Sequence, residues 1–273
     1  MMGLKTRLAL SRTLVWVGLQ RTPEILAGLV GQLVAGRADV VVLVQPDAQP
    51  DDLVSGYRAA VAAGDGRSII GLAGPAQVAS TAQADLVVAD ASAAQAPAHR
   101  YGLSLAVAGD ATELESALAA GQVDAVVLPA GLTGVALRLA PPHLPSSKPW
   151  FVQTDTLAAG RELVAAGVRR LALEAPPVTA EADLGMPPRA VVAAYREALA
   201  DSWRADMQQV SLAGFAATAR TAAAPTPPAH GLVDGLPRPR QTPDAPLPDV
   251  PVSDDEGDGW GQPWREKGPD DHW

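Results

Sequence analysis

The chain has 273 residues, 48% of them apolar but only 4% aromatic, with no cysteine and a formal net charge of −9. That length allows one large domain or two small ones, and the shortage of aromatics leaves a core to be built from Ala, Val and Leu. Without cysteine there are no disulfides, thiolate catalysis or Cys-ligated metal, as suits a cytoplasmic protein, and the charge argues against nucleic acid or an anionic membrane as the main partner.

Lys5, Arg7 and Arg12 precede the apolar L-V-W-V-G-L. This is the charge order of a secretory leader, but the apolar run is short and no small-x-small site follows, so it is read as a first strand. No window approaches the ~18 apolar residues that a membrane span needs. Strand patterns recur at 13–19, 39–44, 68–73, 84–89, 103–108, 123–128, 149–153 and 169–174. The runs are nearly continuous rather than alternating, which predicts strands covered on both faces, as in a parallel sheet.

Helical patterns fill the gaps. Thr22-Pro23-Glu24 supplies a capping residue, a proline at the first helical position and an acid in the first turn. Asp110 and Glu113 form a capping box for a helix reaching Gly121. Asp155-Thr156 opens a helix over 157–166 that Gly167 closes, and a last helix spans Pro187 to about Trp203. The connections around 90–101 and 130–148 are proline-bearing and weakly helical. Eight such units in about 200 residues predict an α/β fold: a compact (β/α)8 TIM barrel over 1–204, at the lower size limit for that architecture. A doubly wound open sheet is the rival, but the first turn, G-L-Q-R-T-P-E, lacks G-x-G-x-x-G.

Residues 205–220 are expected to add one loose helix. From Thr221 to Trp273 the chain carries ten acidic residues against four basic ones and eleven of its 25 prolines. Such a composition buries too little apolar surface to offset the entropy of ordering, so a disordered C-terminal tail is expected. Its last twenty residues hold Trp260, Trp264 and Trp273. Tryptophan is enriched at binding hot spots, which makes these three candidate contacts for an unknown protein partner. A solubilising tail is the plainer reading.

Function in a barrel collects after the strands. Besides Gln20 and Arg21 after the first strand, the polar groups there are Gln45 and Asp47, Asp90, Asp110, Gln153, Thr154 and Asp155, and Glu174. These are candidate ligand-binding residues. Asp90, Asp110, Asp155 and Glu174 are the only acid/base or metal-binding set, yet Asp110 and Asp155 stand where helix caps are needed, and Glu174 is placed to neutralise Arg169 or Arg170. No histidine stands at a strand end, and G-x-S-x-G, a P-loop and H-E-x-x-H are all missing. No catalytic residue and no metal ligand is therefore assigned.

Three segments carry a resemblance: G-R-A-D-V-V-V-L-V-Q-P-D (36–47), A-T-E-L-E-S-A-L-A-A-G-Q-V-D-A-V-V-L-P (111–129) and P-W-F-V-Q-T-D-T-L-A-A-G-R-E-L-V-A-A-G-V-R-R-L-A-L-E (149–174). Over 14–200 the chain resembles the thiamine phosphate synthase and TenI-type thiazole tautomerase barrels. The resemblance implies joining of a pyrimidine diphosphate to a thiazole phosphate with Mg²⁺, using polar groups at fixed strand ends. Where that family's second strand carries Gln, Arg and Lys, this chain has Val42, Val44 and Pro46. Leu72 and Ala73 replace its Asn-Asp pair, and the fourth strand keeps only Asp90 in V-V-A-D. Val107, Ala108 and Gly109 take the place of Ser-Thr-His, and Thr154-Asp155-Thr156 that of the Gly-Gly-Ile phosphate cradle. The tautomerase's histidine has no counterpart near Pro129.

A diphosphate needs donors and positive charge, and of Lys, Arg and His only Arg21 lies near these strand ends. The expectation is a non-catalytic barrel without cofactor, Mg²⁺ entering only if the family chemistry survives, that serves as scaffold or regulatory partner through its tail. The alternatives are residual synthase or tautomerase activity, or a different small ligand at the barrel mouth.

Overall fold

The computed structural model describes residues 3–222 except 19–21, 46–47, 94, 143, 145–146 and 176–185, with the backbone alone at 93, 205–207 and 209–222. The chain divides after Ala223, and the expected tail, 221–273, lies outside the described residues apart from its first two. Eight parallel strands close into a barrel in chain order. They are β1 (Thr13–Gly18), β2 (Val40–Val44), β3 (Ile69–Ala73), β4 (Leu86–Asp90), β5 (Leu103–Val107), β6 (Ala125–Leu128), β7 (Trp150–Thr154) and β8 (Leu171–Glu174). All eight expected strands are present, and β8 pairs with β1 to close the ring.

Helix α2 (Pro23–Ala35) follows β1, and α3 (Pro50–Gly64) and α4 (Ala76–Ala82) follow β2 and β3. Among its described residues the connection after β4 holds a single 3₁₀ turn, Ala91–Ala93. Beyond it come α5 (Ala111–Ala119), α6 (Thr133–Leu139), α7 (Leu157–Ala165) and α8 (Pro188–Ala222). The last helix runs unbroken past Trp203, so residues 205–220 continue it. Among the described residues no helix is long and apolar enough to cross a membrane.

Alternation within each strand builds two cores. Inward-facing Leu14, Val40, Val42, Ile69, Leu86, Leu103, Leu105, Val127 and Phe151 fill the barrel and are essentially inaccessible. Outward-facing Val41, Leu43, Leu72, Val126 and Trp150 meet helix residues such as Leu29, Leu33, Tyr57 and Leu199. Gly71 sits at mid-barrel because a Cβ there would lie 2.9 Å from Leu86 Cδ2. Tyr57 ties α3 to two strands: its hydroxyl donates to the Ile70 carbonyl and accepts from the Asp85 N–H. Burial pushes that phenol up to about 12.

One element is new to the sequence reading. Residues Leu4–Leu10 form a further helix, α1, whose Leu8 is 1% exposed and packs into the inner core. It closes the N-terminal end of the barrel, and Lys5 holds it to Asp124 at 3.1 Å. Beside it, Asp39 Oδ2 accepts from the backbone N–H groups of Arg12 and Thr13 and from the Arg196 guanidinium at 2.6 Å. Arg12 in turn lies 4.5 Å over the Trp203 ring. Burial, with repulsion from Arg196, lowers the Arg12 pKa, and attraction to Asp39 opposes this.

Candidate functional site

At the C-terminal end of the strands the barrel opens into a cavity of about 820 Å³. The inward alternation that fills the lower barrel supplies its wall, one layer higher: Trp16, Val44, Ala73, Val88, Val107 and Ala172 form an apolar floor. Around this floor β4, β7 and β8 end in polar groups. Asp90 closes β4, Gln153 and Thr154 end β7 with Asp155 just beyond, and Glu174 closes β8. The Asp90, Asp155 and Glu174 carboxylates and Gln153 are exposed to the opening. Among the described residues the lining contains no Lys, Arg or His.

Five expected site residues therefore come together here: Asp90, Gln153, Thr154, Asp155 and Glu174. Gln45 is half-buried outside the lining, where its carbonyl accepts from Ala48. Asp110 is a cap: its Oδ1 accepts from Glu113 N at 2.9 Å while Glu113 Oε2 accepts from Gly109 N at 2.8 Å. Asp47 and the tail residues Trp260, Trp264 and Trp273 lie outside the described residues.

Two readings need correction. The cap of α7 is Thr156, whose hydroxyl accepts from Ala159 N at 3.2 Å, so Asp155 is free to line the cavity. Its charge also reaches α8, where burial first and Asp155 second push the Tyr195 phenol upward. Glu174 is separated from Arg170 along β8 by four residues, about 13 Å of strand. The Arg170 guanidinium instead donates to Ser11 O and Ala9 O at the closed end.

Trp16 and Gln95 were not read as site residues. Trp16 shares the inward face of β1 with Leu14, and its position near the strand's end is the signal that places it in the cavity rather than beneath it. Gln95 belongs to the irregular β4–β5 connection, which has no periodicity to read. Its backbone carbonyl accepts from the Ser104 hydroxyl at 2.6 Å, and its side-chain amide nitrogen donates to Gly74 O. The Trp16 indole N–H and the Gln95 amide oxygen are both buried with no hydrogen-bond partner. Leaving such groups unpaired costs about 1–3 kcal/mol each.

The described residues do not fit a Mg²⁺ site. The ion takes octahedral oxygen ligands at about 2.0–2.1 Å. Yet β4 and β8 lie on opposite sides of the ring, and no three described Asp, Glu or His side chains converge. His99 pairs with Asp85 at 3.5 Å and does not line the cavity.

No protein-family model matches the chain, and no curated protein matches its sequence. Solved structures match its fold. A thiamine phosphate pyrophosphorylase from Pyrococcus furiosus is 16% identical with a TM-score of 0.52, covering 73% of this chain and 99% of that one. A tryptophan synthase alpha subunit from Legionella pneumophila gives 15% and 0.54, covering 74% and 100%. The (S)-3-O-geranylgeranylglyceryl phosphate synthase from Thermoplasma acidophilum, solved with sn-glycerol-1-phosphate, gives 12% and 0.53, covering 73% and 99%. The chain thus shares the barrel of enzymes that include a thiamine phosphate synthase. At these identities the likeness is one of fold.

Proposed function

We propose that this protein is a thiamine phosphate synthase-like barrel that has lost the synthase's chemistry and works by binding, as a scaffold or regulatory partner. The observation that carries this is the cavity lining, in which three carboxylates and no described cation stand where a diphosphate would need positive charge. Segments 19–21, 46–47 and 176–185 also follow strands, and their sequence adds one cation, Arg21. A single guanidinium against Asp90, Asp155 and Glu174 leaves the mouth repulsive to phosphate. Retained enzymatic function is the rival reading. Purified full-length protein, given both phosphorylated precursors and Mg²⁺, is expected to form no thiamine phosphate. Turnover above a protein-free control would overturn the proposal.

The partner surface belongs to the same reading. The acidic C-terminal segment with Trp260, Trp264 and Trp273 is proposed as the docking motif, because aromatic anchors are what a solubilising tail does not need. Deleting 250–273 is expected to remove specific partners from a pull-down while leaving thermal unfolding unchanged. An identical set of partners with and without the segment would dismiss it.

A further inference from the structure

The cavity's charges are arranged for a particular kind of ligand. Asp90 ends β4 and Glu174 ends β8, and these strands face each other across the ring, with Asp155 beside Glu174 on the β7 side. Carboxylates set on opposite walls do not converge on one ion. They match a molecule that carries positive charge at both ends. Between them lies the apolar floor of Trp16, Val88, Val107 and Ala172, suited to a methylene chain rather than to a polar middle. The Trp16 ring adds a face that attracts cations.

The second wall carries an independent sign. Gln95, which lines the same cavity as Asp90, holds a buried amide oxygen that no donor satisfies. An ammonium group has three donors and no acceptor, so it supplies what this oxygen lacks after a small side-chain adjustment. We infer that the barrel mouth binds an aliphatic di- or polyamine, one ammonium at Asp90 and Gln95 and another at Glu174 and Asp155. This rests on the reading of the mouth as a site without phosphate chemistry, and it names the ligand class for it.

Calorimetric titration of the full-length protein with spermidine, putrescine, n-butylamine, MgCl₂ and inorganic pyrophosphate tests it. Spermidine and putrescine are expected to bind, with n-butylamine at least about tenfold weaker for want of the second charge. Pyrophosphate is expected not to bind. Asp90→Asn and Glu174→Gln are each expected to weaken spermidine about fivefold to tenfold with circular dichroism unchanged, and the double variant to abolish saturable binding. Spermidine binding that survives in the double variant, or that MgCl₂ at equal ionic strength reproduces, would assign it to general attraction by the −9 chain and overturn the inference. An absence of binding would overturn it too. Neither result produces thiamine phosphate, so the synthase assay judges the underlying proposal separately.

Discussion

Replacing Phe151 by Ala is expected to lower the unfolding free energy by about 3–5 kcal/mol, the range for emptying a large aromatic from a sealed core. Phe151 is one of only two phenylalanines in the chain and is 0% exposed. It points into the barrel among Val127, Ala125, Ala172 and Leu105, side chains too short to reach across the space it would leave. The neighbouring Trp150 points the other way, and its indole N–H is bound to Ala140 O at 2.7 Å. Repacking from outside would have to break that bond. Phe151→Leu, which keeps most of the volume, is expected to lose under half as much. Urea denaturation followed by Trp fluorescence measures both. A loss below about 1 kcal/mol for the alanine variant would mean that the barrel interior is loosely filled.

That prediction rests on features the sequence displays openly. The eight strands were legible because near-continuous Val, Leu and Ala runs have few other uses, and Asp110 with Glu113 could be recognised as a cap from four residues. What needed the fold is what depends on closure. Helix α1 spans Leu4–Leu10 only, too short to persist alone, and it exists because Leu8 enters the end of a barrel that remote strands make. Asp155 and Thr156 are both good caps, and the choice between them is a matter of one residue's backbone angles, with Thr156 extended at φ −132° and ψ 151°. That choice decides whether a carboxylate is spent on a helix end or placed in the cavity.

The site was partly legible for the same reason. Strand ends name Asp90, Gln153 and Glu174 once eight strands are counted. Whether an inward residue joins the floor or the core below depends on its height, and height depends on register around the whole ring. Val42 and Val44 show this, since Val42 is sealed and Val44, two residues on, lines the cavity. Trp16 is paired in register with Glu174, an adjacency that residues so far apart in sequence acquire only when β8 closes onto β1.

Closure at the other end of the barrel depends on a carboxylate, and this sets the second large expectation. Asp39 links three segments, accepting from Arg12 N at 2.8 Å, Thr13 N at 3.1 Å and Arg196 at 2.6 Å. Asp39→Ala is expected to cost about 2–3 kcal/mol, below the cost of breaking a fully buried pair because both side chains keep about a quarter of their surface in water. Two strand-start amides then lose their acceptor, and of the two bonds that Arg196 of α8 makes to the segment before β2 only that to the Arg37 carbonyl remains. Arg196→Leu is expected to cost less, about 1 kcal/mol, since Asp39 retains its backbone donors. The two changes share one interaction, so the double variant should lose little more than Asp39→Ala alone. Urea midpoints for the four proteins, with the slope held constant, give the coupling. Strictly additive losses would show that Arg196 and Asp39 stabilise the barrel independently and that α8 is held by its apolar face, through Val192, Tyr195 and Leu199.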